Sequence, residues 1–329
     1  MKISVLGDGG WGTALAILLK NKGFDVSLWC AFKEDAEAIK RDVENKKFLP
    51  GFSVPKAVQV TSEMRSACED ADIVVLAIPS RFFRDVVTKN KKILKESRAG
   101  FVSVAKGIEE KSLKRMSEIA REILGDAELA VLSGPSIAPE VARGIPTAVV
   151  VASEDEIFAR RISDIFRAEC FRVYTNKDVI GVELGGALKN IIAIAAGISD
   201  GLGFGSNTKA AILTRGLAEM TRLGVAMGAS KESFQGLSGL GDMITTCVSS
   251  EGRNHRFGIE VGKGNRPEAL LSKSVMEIEG AWTSRAAMEL GRKHDVELPI
   301  TRQVCAVLFE KKSPLLAVSE LMSREPKAE

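Results

Sequence analysis

The 329 residues are long enough for two domains, each with its own hydrophobic core. An apolar share of 45% and a charged share of 27% are those of an ordinary globular protein. A net charge of only +3 argues against a nucleic-acid-binding or membrane-surface protein, although a local basic pocket for a small anion stays open.

Cysteine and histidine usage narrows the class further. Five cysteines, an odd number without a CxxC pair, argue against a disulfide framework or zinc site and favour a reducing cytoplasm. Two histidines, His255 and His294, are too few for a histidine-built centre, so we expect no metal. A strand-like run begins at residue 2, so we expect no signal peptide. The apolar stretch 185–199 carries Lys189 and predicts a buried helix, not a membrane span.

The first half of the chain alternates short apolar runs with helical patterns. The runs, typical of strands covered on both faces, lie at 2–7, 25–29, 72–78, 100–105, 128–133 and 147–152. The segment FRVYTN at 171–176 is the last predicted strand. Helical patterns lie at 11–22, 34–45, 81–96, 113–124 and 154–168. This alternation predicts an α/β fold with a doubly wound parallel sheet. After about residue 178 the apolar residues recur only at helical spacing. We therefore predict a Rossmann-like dinucleotide-binding domain over 1–178 and an all-helical substrate-binding and catalytic domain over 179–329.

Four glycines stand between the first strand and the first helix, in the sequence GDGGWG. Gly7, Gly9 and Gly12 fit the pattern GxGxxG in its required strand–loop–helix context. The first glycine makes the tight turn, the second lets the backbone approach a pyrophosphate, and the third packs helix against strand. Helix N–H groups then face the anion. The loop predicts a dinucleotide site, and the competing interpretation is a plain turn.

The end of the second strand normally decides which dinucleotide binds, because an acid there binds the ribose 2′-hydroxyl of NAD. Here Ala31, Phe32 and Lys33 follow the strand, and the first acids are Glu34 and Asp35. Lys33 could tolerate the 2′-phosphate of NADP, or it could be a solvated residue that starts a helix. The choice between NAD and NADP therefore stays open.

Two polar segments follow later strands and are expected at the ligand-binding edge of the sheet. Lys106 comes directly after one strand, and Ser133 to Ser136 (SGPS) after the next. Gly134 and Ser136 could present a backbone N–H and a hydroxyl to a substrate oxygen. The alternatives are a surface lysine and a simple Gly-Pro turn.

Lys189 is the most informative residue, since it shares a helix face with small or apolar side chains. Leaving an ammonium there is costly unless a charged group meets it, and desolvation can turn a lysine into a base near neutrality. The alternative is a lysine that extends outward to solvent. Asn190 follows and could orient an oxygen.

Further polar residues lie in GLSGLGDMITTC and SEGRNHRFG. Asp242 and Thr246 share a face if their segment is helical, and Arg253 and Asn254 could clamp an anion. Alone, Asp242 is as easily a helix cap and Arg253 a surface charge. Together with Lys189 they suit oxidation of a substrate alcohol, in which a base takes the proton while hydride leaves for nicotinamide.

The motifs, taken along nearly the whole chain, resemble those of the NAD(P)-dependent sn-glycerol-3-phosphate dehydrogenases, bacterial biosynthetic type. The most diagnostic are GDGGWGTALA, LSGPSIAPEVARGIPTAVVVAS, GGALKNIIAIAAGISDGLG, GLSGLGDMITTC and GRNHRFG. The resemblance implies a helical domain of the 6-phosphogluconate-dehydrogenase-like kind and interconversion of dihydroxyacetone phosphate and sn-glycerol 3-phosphate with NAD or NADP. It also implies a role in phospholipid synthesis and a homodimer. With the near-neutral charge and the cysteine usage, we expect a cytoplasmic protein without a nucleic-acid partner or membrane insertion.

The resemblance also implies roles for individual residues. Lys189 would be the proton acceptor, assisted by Asn190, Lys106 and Asp242. The substrate site would comprise Lys106, Gly134, Ser136, Lys189, Asp242, Thr246, Gly252, Arg253 and Asn254, with Arg253 and Asn254 on the phosphate. By the resemblance the cofactor site would comprise Gly10, Trp11, Lys106, Ala138, Arg253, Glu277 and Glu279, with Phe48 and Phe82 as weaker candidates for its walls. The glycine pattern adds Gly7, Gly9 and Gly12, and the end of the second strand adds Phe32 and Lys33.

Two positions depart from the family pattern. Many bacterial members have a basic residue where this chain has Ala31, and their loop commonly reads GAGxWG where this chain has Asp8. An acid beside a pyrophosphate is unfavourable unless it points away, so we expect Asp8 to face solvent.

Two other functions compete with this one. A hydroxyacid dehydrogenase of the 6-phosphogluconate type would share the architecture and the lysine–asparagine pair, but GRNHRFG argues against it. A nucleotide-sensing regulator without turnover is disfavoured because Lys189, Asn190 and Asp242 are all present.

Overall fold

The computed structural model describes residues 1–274 and 276–325, and its contacts divide the chain into two compact units. Unit 1 comprises Met1–Lys106 and Arg115–Val182, and unit 2 comprises Gly107–Lys114 and the chain from Glu183 on. The predicted domain boundary at residue 178 stays a prediction. The last residues of the predicted second domain, 326–329, lie outside the described residues.

Strands and helices alternate first and helices follow. The strands are β1 (Lys2–Leu6), β2 (Asp25–Trp29), β3 (Gln59–Thr61), β4 (Ile73–Leu76), β5 (Gly100–Ser103), β6 (Leu129–Ser133), β7 (Thr147–Ala152) and β8 (Phe171–Asn176). The helices among them are α1 (Gly10–Asn21), α2 (Lys33–Asp42), α3 (Met64–Cys68), α4 (Ser80–Lys89), α5 (Lys91–Glu96), α6 (Met116–Leu124), α7 (Ala138–Ala142) and α8 (Glu156–Phe166). The later helices are α9 (Val179–Gly201), α10 (Ser206–Ala226), α11 (Lys231–Gln235), α12 (Asp242–Val248), α13 (Arg253–Gly262), α14 (Pro267–Lys273), α15 (Glu279–Lys293), α16 (Pro299–Phe309) and α17 (Pro314–Met322), with a π-helical turn at Leu237–Gly241.

Unit 1 contains one eight-stranded sheet in the order β3-β2-β1-β4-β5-β6-β7-β8. All neighbouring pairs are parallel except β6 and β7, so the predicted doubly wound α/β fold is confirmed with one reversed pair. The pattern did not predict that reversal, because a strand buried on both faces is apolar whichever way it runs. It also missed β3, whose three residues are too few to show a period.

The sheet carries apolar clusters on both faces, as the continuously apolar strands require. Ile3 and Val5 of β1 point into one cluster and Leu6 into the other, because successive side chains alternate across a strand. Since β1, β4, β5 and β6 run parallel, their carboxyl ends share one edge of the sheet. The loops after them, including the glycine loop and Lys106, therefore lie at the edge where ligands of such folds bind.

Close backbone contacts between helices organise unit 2. A Cβ atom added to Gly197 of α9 would lie 2.1 Å from the carbonyl oxygen of His255, and one added to Gly258 of α13 would lie 2.3 Å from that of Ile194. At Gly280 of α15, the added Cβ would lie 2.5 Å from the Asn190 carbonyl oxygen. Only glycine permits these approaches, which bring α13 and α15 against the centre of α9.

The long apolar helix α9 is buried, as the sequence predicted. It alone among the described helices is long and apolar enough to cross a membrane, and most of it is buried inside the protein. A core helix satisfies the same criteria of length and composition.

Candidate active site

Three of the four loop glycines are required by the protein itself. Gly7 has φ +125°, and a Cβ there would lie 2.4 Å from the Ala77 carbonyl oxygen. Cβ atoms at Gly10 and Gly12 would lie 2.7 Å and 2.0 Å from backbone oxygens. A Cβ at Gly9 would meet no atom within 4 Å. The space beside Gly9 is therefore open, as close approach by a ligand requires.

The amino end of α1 fits an anionic group such as a pyrophosphate. Gly9 caps this 12-residue helix, no described side chain bonds to its first N–H groups, and its first turn contains no acid. Such an end carries unpaired N–H donors and the positive end of the helix dipole. The loop and the helix together thus supply what a dinucleotide needs.

The predicted cofactor residues are only partly brought together. A Cβ on Gly10 would lie 3.8 Å from the Ala138 Cβ and 2.7 Å from the Phe48 carbonyl oxygen, so these three residues lie together. Trp11 packs against Phe171 with ring centroids 6.4 Å apart, and its buried Nε1 has no partner among the described residues.

Three candidates of unit 1, Phe32, Phe82 and Lys33, lie at the surface. The rings of Phe32 and Phe82 are exposed, which leaves both able to contact a planar ligand. The side chain of Lys33 is 76% exposed, and its Nζ lies 3.7 Å from Glu37 one turn along α2. This exposure fits a solvated residue at the start of α2, and a contact of Lys33 with a 2′-phosphate stays a prediction.

The expectation that Asp8 faces solvent is wrong. The residue is only 7% exposed, and its Oδ2 atom is buried without a hydrogen-bond partner among the described residues. Burial raises the pKa of the carboxyl group, and the nearby Asp35 carboxylate acts in the same direction. The error arose because β2 lies beside the loop, and local sequence does not show which strand covers a loop residue.

Lys106 joins the two polar loops that follow β5 and β6. Its Nζ donates to the Gly134 carbonyl oxygen at 2.9 Å and to Ser136 Oγ at 3.0 Å. Gly134 has φ +131°, and a Cβ there would lie 3.0 Å from the Val149 Cα, so only glycine suits the turn. Three residues predicted for substrate binding thus form one hydrogen-bonded group in unit 1.

In unit 2 the buried Lys189 meets a carboxylate. Its Nζ lies 2.6 Å from Asp242 Oδ1, with both side chains almost fully buried, and it also donates to Thr246 Oγ1. Asp242 follows the π-helical turn and begins α12, so Asp242 and Thr246 share a helix face as predicted. The cost of burying the ammonium is offset by a specific charged partner. A π-helical turn often marks a functional position.

A second network surrounds Asn190. Asn254 Nδ2 donates to Asn190 Oδ1 at 3.0 Å, and the Gly280 N–H donates to Asn254 Oδ1 at 3.1 Å. Asn190 Nδ2 in turn donates to the Gly186 carbonyl oxygen at 3.4 Å. These bonds fix both amides inside unit 2. Sequence reasoning missed Gly280, whose contribution is a backbone N–H.

The predicted phosphate clamp lies at the start of α13. Gly252 caps this helix, and a Cβ there would lie 2.7 Å from the Thr246 carbonyl oxygen. The exposed Arg253 donates from Nη1 to the Glu277 carbonyl oxygen at 3.4 Å, with the Glu279 carboxylate nearby. Arg253 thus lies at a helix start, where both its charge and the helix dipole favour an anion.

Comparison with known proteins identifies the family. The model "NAD-dependent glycerol-3-phosphate dehydrogenase N-terminus" matches residues 2–159, and the corresponding C-terminus model matches residues 178–319. The chain belongs to the NAD-dependent glycerol-3-phosphate dehydrogenase family. The family resemblance and the class of NAD(P)-dependent oxidoreductase are therefore confirmed.

Individual relatives of this family cover nearly the entire chain. A glycerol-3-phosphate dehydrogenase [NAD(P)+] from Pelotomaculum thermopropionicum is 52% identical over 326 residues, which are 98% of this chain and 93% of that protein. The protein of the same name from Fusobacterium nucleatum is 47% identical over 331 residues, which are 100% of this chain and 98% of that protein. A crystal structure of glycerol-3-phosphate dehydrogenase from Coxiella burnetii matches this chain with a TM-score of 0.94 and 38% sequence identity. The match covers 98% of this chain and 99% of that chain.

Proposed function

We propose that the protein interconverts dihydroxyacetone phosphate and sn-glycerol 3-phosphate with NAD(H) or NADP(H). In the cell we expect reduction of the ketone, which supplies glycerol 3-phosphate for phospholipid synthesis. The observation that carries this proposal is the buried Lys189–Asp242–Thr246 cluster, in a chain that is 52% identical to a protein named for this reaction.

Lys189 is the proposed proton donor in the direction of reduction. When bound, the nicotinamide ring supplies the hydride to C2 of the ketone or accepts it from the alcohol. The Lys189 ammonium donates a proton to the carbonyl oxygen, so that ketone, hydride and proton together give the alcohol. Asp242 and Thr246 hold Nζ in place, and the carboxylate neutralises the ammonium in its buried surroundings. In the reverse direction the neutral amine accepts the hydroxyl proton.

Hydrogen-bonded side chains are proposed to orient the substrate. The Asn190 amide, held by Asn254, is suited to fix the carbonyl oxygen that Lys189 protonates. Lys106 would polarise the same carbonyl, with Gly134 and Ser136 placing its ammonium group. These assignments divide proton transfer from substrate positioning.

The phosphate is assigned to the start of α13. Arg253 provides a charged, forked donor, and the N–H groups that follow Gly252 provide the open end of a ten-residue helix. Asn254 completes the proposed clamp. Glu277 and Glu279 are proposed to contact the cofactor, and Glu279 is buried beside Arg253.

The assembly and compartment are further proposals. We propose a homodimer in the cytoplasm, without a nucleic-acid partner or membrane insertion. All five cysteines are free thiols, which suits a reducing compartment. Exposed apolar side chains of α17, including Leu315 and Leu316, support a contact between copies. Light scattering of the purified protein should give twice the chain mass of 35.4 kDa, and a monomer would contradict the dimer.

The decisive assay measures initial rates of dihydroxyacetone phosphate reduction with NADH and with NADPH. We expect saturable turnover of this ketone and no comparable turnover of 2-keto acids or 6-phosphogluconate. Turnover of a hydroxyacid or keto acid in its place would favour the related hydroxyacid dehydrogenases. Cofactor binding without any turnover would favour a sensing role.

A further inference from the structure

The acid that distinguishes NAD from NADP in many dinucleotide-binding folds is absent from the end of β2. Trp29 ends the strand, and Cys30 and Ala31 follow it. The adjacent strand β1 is parallel to β2 with Leu6 opposite Trp29, and the Gly7 N–H donates to the Trp29 carbonyl oxygen at 3.0 Å. The chain after Leu6 thus follows β2 to its end.

This path brings the carboxyl group of Asp8 to the position where the acid is absent. The Ala31 N–H and the Cys30 thiol both face that carboxyl group. An acid contributed by the glycine loop therefore occupies the place normally served by the end of β2. Local sequence suggested no such substitution, because the two segments are more than 20 positions apart.

Two side chains hold the backbone of Asp8 in place. Its carbonyl oxygen accepts hydrogen bonds from Asn45 Nδ2 at 2.6 Å and from Thr13 Oγ1 at 3.1 Å. The Phe48 N–H donates to Asn45 Oδ1 at 3.1 Å, which fixes that amide in turn. The loop conformation is consequently set before any ligand binds.

One oxygen of the carboxyl group, Oδ2, lacks a donor among the described residues. Asp8 is only 7% exposed, and its buried Oδ2 accepts no hydrogen bond from the described residues. A buried carboxylate oxygen without a partner is costly, and such atoms in folded proteins usually have a functional explanation. A hydroxyl group of a ligand is a donor of the required kind.

The charges around Asp8 favour a neutral ligand group over an anionic one. Asp35 lies near enough to affect its titration, and Lys47 is committed to Asp35 through contacts of 2.8 Å and 3.1 Å. Lys33 is exposed and faces Glu37 at 3.7 Å. Two carboxyl groups, those of Asp8 and Asp35, thus face the one ammonium group, that of Lys47, that acts on Asp8. A phosphate monoester, which carries about −1.5 to −2 at neutral pH, would be repelled.

We propose that Asp8 selects NAD(H) over NADP(H), its carboxylate accepting a hydrogen bond from the adenosine 2′-hydroxyl and repelling a 2′-phosphate. The inference rests on the proposed function only for the class of cofactor. Asp8 would thus favour NAD(H), whereas a contact of Lys33 with the 2′-phosphate would favour NADP(H).

The test is a calorimetric titration of the full-length protein with NADH, NADPH, ADP-ribose and 2′-phospho-ADP-ribose, without substrate. The native protein should bind each 2′-hydroxyl ligand at least about tenfold more tightly than its 2′-phosphate counterpart, a difference of about 1.4 kcal/mol. Asp8→Asn, which keeps the shape but removes the charge, should lower that ratio by at least about fivefold. Asp8→Ala, which restores the loop residue common in the family, should lower the ratio by a similar factor. It replaces Asp8→Asn as the test variant if Asp8→Asn folds poorly.

A control variant distinguishes the loss of the charge at Asp8 from the loss of one negative charge elsewhere in the protein. Asp42→Asn removes an aspartate at the end of α2 that pairs with Arg41 and Lys46, and it should leave the ratio unchanged. An unchanged ratio in Asp8→Asn and Asp8→Ala would overturn the inference. A native preference for NADPH that Lys33→Ala abolishes would overturn it as well.

Failure of the inference and of the proposed function remain distinguishable. Because the titrations contain no substrate, they report cofactor selection even if dihydroxyacetone phosphate is not reduced. Reduction of that ketone with an unaltered binding ratio in the Asp8 variants would refute the inference alone. An altered ratio without turnover would refute the proposed function alone.

Discussion

The two units prepare their candidate sites in opposite ways. In the glycine loop of unit 1 the important property is the absence of side chains, because added Cβ atoms at Gly10 and Gly12 would meet backbone oxygens. In unit 2 the important property is a set of side chains, Lys189, Asp242 and Thr246, whose polar atoms contact one another inside the protein. The first arrangement suits binding of a large anion by backbone groups, and the second suits transfer of a proton.

The strongest test of the loop as a steric arrangement is Gly12→Ala. The new Cβ would lie 2.0 Å from the Gly7 carbonyl oxygen, so α1 must move away from β1. We expect a loss of at least about 3 kcal/mol in the free energy of unfolding, at the upper end of typical overpacking costs. Urea denaturation measures this loss. A stability within about 0.5 kcal/mol of the native protein would show that the loop is not tightly packed.

Gly9→Ala separates the needs of the protein from those of the cofactor. The new Cβ would meet no protein atom within 4 Å, and φ at Gly9 is −58°, so the variant should fold with a stability change of under about 1 kcal/mol. Binding of NADH should weaken by at least about tenfold, because the methyl group occupies space intended for the pyrophosphate. Native affinity, measured by fluorescence titration, would argue that the cofactor does not approach this glycine.

Arg253→Ala tests the clamp of unit 2 by removing one charged donor without adding any atom that could clash. Loss of a charged hydrogen bond costs about 1.5–3 kcal/mol, so we expect KM for dihydroxyacetone phosphate to rise roughly tenfold to a hundredfold. The affinity for NADH should change less. Arg256→Ala, three positions along the same helix and also exposed, is the matched control and should change KM by under about twofold. Equal effects of the two substitutions would place the phosphate elsewhere.

The same contrast explains what the sequence could predict. The glycine loop depends on neighbours within a few positions, so its pattern, its helix and its place at the sheet edge follow from local sequence. The pairing of Lys189 with Asp242 joins residues 53 positions apart. The apolar helix around Lys189 predicted that a charged partner is needed, but not which residue provides it. Only the family resemblance connected the two.

Long-range neighbours also account for the errors. Asp8 was expected in solvent because nothing in GDGGWG shows that the end of β2 covers it. The antiparallel β7 was not predicted because strand direction leaves no trace in a continuously apolar run. Residues whose environment comes from distant segments are those that local patterns describe least well.

The most direct test of this division is Lys189→Met, studied for cofactor binding and turnover in the same preparation. Methionine preserves much of the length of lysine but cannot donate a proton. We predict that NADH binds with native affinity while kcat for dihydroxyacetone phosphate reduction falls by roughly 10²- to 10⁴-fold, the usual contribution of general acid–base catalysis. Lys263→Met, which removes a lysine paired with Glu260 at the surface, should leave both quantities unchanged. Native turnover in Lys189→Met would contradict the account, because the buried lysine would then not be the proton donor.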